Sequence, residues 1–91
     1  MKVTFEQVQE NVVREEILKV PGTNAVIVAL VCKNGYVATG FNNCVDDSEY
    51  NFEFGCEAAR GLAYSEVWRQ LGYELRTKLM EAKNGNQSRD V

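Results

Sequence analysis

Two different spacings of apolar residues divide the chain. Phe5, Val8 and Val12 recur three and four apart, which places side chains on one face of a helix. Thr4 followed by Gln7 is a capping-box pair, the hydroxyl and the amide each satisfying an N–H that the helix start leaves unpaired. The pattern predicts a first helix from Phe5 to about Leu18, stopped by Pro21-Gly22. From Thr23 to Cys32 the chain is almost unbroken Val, Ile, Leu and Ala. Its β-branching and its length between turn signals predict a strand covered on both faces. Asn34-Gly35 predicts a type I′ hairpin turn, in which both central residues need positive φ. Tyr36 to Thr39 is the returning strand, and Gly40 ends its regular part as a bulge or a close backbone approach.

A polar run, Phe41-Asn42-Asn43-Cys44, then leaves the strand. From about Ser48 to Ala82 the spacing is helical again, with Asp46, Asp47 and Ser48 offering N-cap oxygens. Phe52, Cys56, Ala59, Leu62, Ala63 and Val67 fall on one broad face, the expected seat for the sheet. Gly72 is expected to break or kink this segment, leaving a second piece with Leu75, Leu79 and Met80. The fold class is therefore α+β: an N-terminal helix, an antiparallel β-hairpin, then one long kinked helix or two C-terminal helices. Residues 1–82 form a single domain, and 83–91 a flexible, polar C-terminal tail.

Size adds one expectation. A chain of 91 residues is marginal alone, and two strands rarely make a stable sheet. An edge needing cover and apolar faces needing burial point to a homo-oligomer, a dimer or higher. The net charge of −3 and pI near 4.9 argue against duplex nucleic acid held by bulk electrostatics. They leave room for a small anion held by two or three arginines. No apolar run is long enough to span a membrane, and Glu6 and Glu10 make the N-terminus unlike a signal peptide.

Cys32, Cys44 and Cys56 recur every twelve residues and the chain has no histidine. Zinc would need a fourth ligand, so no metal and no cofactor is expected; an odd count of thiols with no secretory signal suggests reduced, cytosolic cysteines. Without histidine, and with no nucleophile–base motif, catalysis is not expected.

Arg60, Tyr64 and Trp68 follow at i, i+4 and i+8. A guanidinium with two rings suits a nucleobase and its phosphate; equally, the rings could pack a neighbouring helix with Arg60 paired to Glu57. Arg69 and Arg76 stand seven apart, ordinary surface charges unless a bend at Gly72 aims Arg76 into a cleft. Tyr50, Phe52 and Phe54 crowd the start of the long helix, and at least one of these rings must stay outside the core. Strand exit, helix start and spare aromatics should converge, so Asn42 and Asn43 read either as ligand-binding amides beside a helix N-terminus or as turn residues.

The order of short motifs supports a further expectation. PGT (Pro21 to Thr23), the apolar strand, KNGY (Lys33 to Tyr36), Thr39-Gly40, CVD (Cys44 to Asp46), then Gly55, Arg60, Trp68 and LGY (Leu71 to Tyr73) resemble a family of small phage accessory proteins from about Val3 to Met80. That family looks related to the phage anti-Thoeris sponge proteins. Those are similar in layout, assemble as oligomers, and sequester cyclic ADP-ribose signals or, in some cases, cyclic oligonucleotides, as in anti-CBASS activity. The resemblance implies an anti-defence protein of the infected host's cytoplasm that binds a cyclic nucleotide without turnover. It implies Phe41, Asn42 and Tyr50 around base or ribose and Arg60 and Arg76 on pyrophosphate, with a partner subunit completing the pocket. Phe41-Asn42-Asn43 departs from the family's acidic-and-small run before CVD, and Leu62 stands where the family tends to be polar, so the ligand could differ here. The rival reading is a protein-interaction module that inhibits a host protein by docking on it.

Overall fold

A computed structural model describes residues 2–84. Helix α1 spans Phe5–Asn11, strands β1, β2 and β3 span Val12–Lys19, Val26–Cys32 and Val37–Asn42, a 3-10 turn covers Asp47–Glu49, and helix α2 runs Phe52–Lys83. The strands form one antiparallel sheet in the order β1-β2-β3, with α2 laid across one face. The class is α+β, as the periodicity implies.

The capping box forms as its residues dictate: Gln7 N–H donates to Thr4 Oγ1 at 3.2 Å, and Thr4 N–H donates to Gln7 Oε1 at 2.9 Å. The helix that it opens is shorter than its spacing predicts. It ends at Asn11, and Val12–Lys19 forms a third strand instead of a continuing helix. The reason lies in β2. Its outer row of N–H and C=O groups needs a partner, and β1 supplies one from Val12↔Cys32 to Lys19↔Val26, with an irregularity between Val12 and Arg14. Ladder bonds for a central apolar strand outweigh helix propensity in a segment that is half charged and buries almost no apolar surface.

Pro21-Gly22 then turns the chain between β1 and β2. Gly22 has φ +76 and Thr23 N–H donates to Val20 O at 3.2 Å, a type II arrangement. The second turn also differs from expectation. Gly35 has φ +89, yet Asn34 does not have positive φ, so the type I′ turn is not formed. Cys32 N–H donates to Tyr36 O at 2.8 Å, closing a three-residue loop in which glycine takes the left-handed position. Asn34 contributes through its side chain, whose Oδ1 accepts from Tyr36 N–H at 2.9 Å.

β2 is the spine. Val26, Val28, Leu30 and Cys32 point at α2 and are buried, joined by Val8, Ala38, Cys56, Ala59, Ala63 and Val67. Gly40 pairs in register with Val28, so it makes no bulge; it is the close backbone approach. A Cβ there would overlap the Ala59 carbonyl and stand 2.8 Å from Ala63 N. Small residues on both sides let helix and sheet touch along their backbones. Two residues expected in the core face are not in it: Phe52 and Leu62 are exposed. Leu62 stands about 100° round the helix from Ala63 and so points off the buried face, while Phe52 sits at the very start of α2 beside Lys19. Gly72 neither breaks α2 nor divides it, since one 32-residue helix runs through that position. The expected tail is outside the described residues from Gly85 onward.

Candidate functional site

Helix α2 carries most of the side chains that could recognise a ligand. Sixteen residues separate Arg60 from Arg76, about 24 Å along a continuous helix and about 160° around it. A single chain therefore does not bring these two guanidiniums to one hollow. Arg60 is already engaged: its Nε and Nη2 donate to the two carboxylate oxygens of Glu15 on β1 at 2.6 and 2.9 Å. That bidentate bond holds the Glu15 carboxyl below its ordinary range against the effect of desolvation, and raises Arg60 above its own. The partner is Glu15 rather than Glu57, a contact that depends on the strand absent from the sequence expectation.

Tyr64 and Trp68 are engaged too. Phe5 of α1 lies 5.7 Å from the Tyr64 ring and stacks on Trp68 at 5.8 Å between centroids. They pack a neighbouring helix, although Trp68 keeps a substantial exposed face.

The polar run after β3 proves mainly architectural. Asn24, buried in the loop before β2, donates through Nδ2 to Cys44 O at 2.9 Å and to Asp47 Oδ1 at 2.6 Å. Its Oδ1 accepts from Cys44 N–H at 3.0 Å and from the Asn43 amide. One buried asparagine thus ties the Pro21-Gly22 end of the sheet to the connector leading into α2. Phe41 and Asn42 point to opposite faces. Phe41 pairs with Ile27 on the side away from α2 and is half-exposed, whereas Asn42 pairs with Val26 and faces Gly55. Tyr50, just before the helix, has an enclosed hydroxyl with no hydrogen-bond partner among the described residues. Phe52 takes the Lys19 ammonium over its ring at 5.0 Å, and Phe54, 73% exposed, is the aromatic left over.

Arg60, Tyr64 and Trp68 do line one open hollow with Phe5, though with the guanidinium held by Glu15. A second open hollow, on the C-terminal half of α2, is lined by Gln70 with Arg69, Tyr73 and Arg76. The spacing of Arg69, Tyr73 and Arg76 puts all three on one side of the helix. Tyr73 is 76% exposed, and Arg76 has no carboxylate partner among the described residues. Arg69 bonds to Glu66, which also accepts from Tyr36 Oη at 2.8 Å and Gln70 Nε2 at 2.9 Å. Those donors, Gln70 foremost, hold the Glu66 carboxyl down to about 2. The seven-residue interval between the two arginines was visible in the sequence. Tyr73 between them entered only as the last residue of the LGY motif, not as a ligand contact.

No group of acidic, cysteine or histidine side chains suited to a metal occurs among the described residues, and no described helix is long and apolar enough to cross a membrane. Comparison with known proteins adds the decisive observation. The profile of the phage protein (N4 Gp49/phage Sf6 gene 66) family matches residues 3–79. The chain belongs to that family. The N4 Gp49/Sf6 gene 66 match spans α1, the whole sheet and α2 as far as Leu79, nearly the interval over which the short motifs run. No curated protein and no solved structure matches this family member significantly.

Proposed function

We propose that this phage protein is an anti-defence binder that sequesters a cyclic nucleotide second messenger, a cyclic ADP-ribose isomer or a cyclic oligonucleotide, without turning it over. The Arg69–Tyr73–Arg76 stripe carries the reading. An exposed phenol ring offers a base a stacking surface worth roughly 1–3 kcal/mol. The two guanidiniums, about 10 Å apart along the axis, can each meet one phosphate of a cyclic dinucleotide or share a diphosphate. Glu15 takes two of the five N–H donors of Arg60 and neutralises its charge, so Arg76, which has no carboxylate partner among the described residues, bears the larger share of the anion binding. Phe41 and Tyr50 lie far from the stripe within one chain, and their part in the pocket requires a second subunit. Such a binder acts in the cytoplasm of the infected host, where the messenger is made.

Purified protein incubated with cyclic ADP-ribose isomers and cyclic di- and trinucleotides should retain at least one through gel filtration. Arg76→Ala should lower that retention at least about tenfold, the loss of one charge-assisted contact. If none is retained, the reading fails. A second reading, docking on a host protein, draws on a different observation: the hollows along α2 are open, and Leu18, Val37 and Phe41 are exposed on the sheet face away from it. Heating protein purified from infected cells separates the two, because a sequestering protein releases a nucleotide and a docking module does not.

A further inference from the structure

We infer that α2 is the seam of an antiparallel homodimer, two copies of the chain packed along the helix face that looks away from the sheet. Ala58, Gly61 and Ser65 each stand two residues beyond a buried one (Cys56, Ala59, Ala63), about 200° round the helix. All three are exposed. With Gly72 they supply the small members of a longer series. Phe54, Trp68, Leu75 and Leu79 supply the large ones. Ordered along the chain, these eight positions alternate by four and three residues from 54 to 79, the 3.5-residue repeat of a left-handed helix pair. At Gly61 and Gly72 an added Cβ meets no atom within 4 Å. Phe54, Trp68 and Leu79 stay substantially exposed. Phe5 covers one side of Trp68 and Gly72 and Leu75 are partly covered, but an apolar series about 38 Å long that stays largely open on a small domain calls for a partner.

Size and charge identify that partner as a second copy running the other way. Setting Ser65 against the partner's Trp68 places Ala58 against the partner's Leu75, a small residue facing a large one in both layers. In the same registry Gly61 meets the partner's Gly72, where the backbones come closest, and Phe54 meets the partner's Leu79. On one flank, Glu57 then lies beside the partner's Lys78, whose own-chain pair with Glu74 is a long 3.8 Å. The relation repeats by symmetry, giving two opposite-charge contacts. A parallel pair would instead put Lys78 beside the partner's Lys83, like charge against like. Each copy's Arg69–Tyr73–Arg76 stripe passes the first turns of the partner's α2 in this arrangement, and that consequence alone rests on the binder reading above.

Sedimentation velocity on the full chain across a concentration series tests the dimer separately from any ligand. The wild type should reach a dimer. Gly61→Arg should sediment as a monomer, with a thermal midpoint independent of concentration and no lower than that of the wild type diluted until it is monomeric, since the site is empty in one chain and arginine favours a helix over glycine. Glu57→Lys should weaken the dimer at least about tenfold, and Glu57→Lys combined with Lys78→Glu should restore it. A wild type that stays monomeric at every concentration overturns the inference. So does Gly61→Arg that still dimerises, or a double exchange no better than the single one.

Discussion

Gly40 shows how much one missing side chain can decide. Its backbone lies against the Ala59 carbonyl and the Ala63 amide, and neither can yield without moving α2. Gly40→Ala should therefore destabilise the chain by about 1–3 kcal/mol, the usual cost of overpacking. Urea denaturation should show a lower midpoint at an unchanged slope. Tyr50 presents the reverse case. Its enclosed hydroxyl has no partner among the described residues, a burden of about 1–3 kcal/mol. Tyr50→Phe should leave the thermal midpoint equal or higher; a clear fall would mean that a bound water or ligand satisfies the hydroxyl. Cys32 and Cys56 behave as small buried hydrophobes, and burial pushes the Cys32 thiol up.

Between elements, the tie from the β2–β3 loop to α2 runs through Glu66. Its carboxyl sits at about 2 in the folded chain against an ordinary 4.5, so the ionised form is the one that folding favours. The stability it contributes is complete above pH 4.5 and is lost as pH falls toward 2. Denaturant titrations across that window should show an acid limb that Glu66→Gln diminishes. An unchanged limb would place the titration elsewhere, with Glu15 and Asp46 the other carboxylates held low. Elements that bury an apolar face were legible in the sequence: the capped start of α1, the central strand, the return to Gly40, and α2. β1 was not, because it buries almost nothing. Its residues VVREEILK are exposed beyond Val12, so no alternation marks it, and only β2's need for a ladder partner makes it a strand. The same omission misread Arg60, whose partner Glu15 belongs to that strand. Gly72 misled in the opposite sense: glycine weakens a helix by about 1 kcal/mol, which a long helix packed elsewhere absorbs.

At the scale of the molecule, α2 outruns the layer that supports it. Thirty-two residues make about 48 Å of helix, whereas the longest strand has eight residues and spans about 26 Å. Buried positions on α2 end at Val67. Amide hydrogen exchange on dilute, ligand-free protein should therefore show strong protection from Cys56 to Val67 and progressively less toward Lys83. Protection that extends evenly to the end at high concentration would report the second copy. The narrow contact where Gly40 meets Ala59 thus has a reach beyond its own few atoms. A stiff rod clamped near one end works as a lever: Leu79 lies about 30 Å past Ala59, and a tilt of a few degrees at the clamp swings the tip by ångströms. Whatever widens or narrows that clamp in a related chain re-aims Tyr73 and Arg76 without altering either residue.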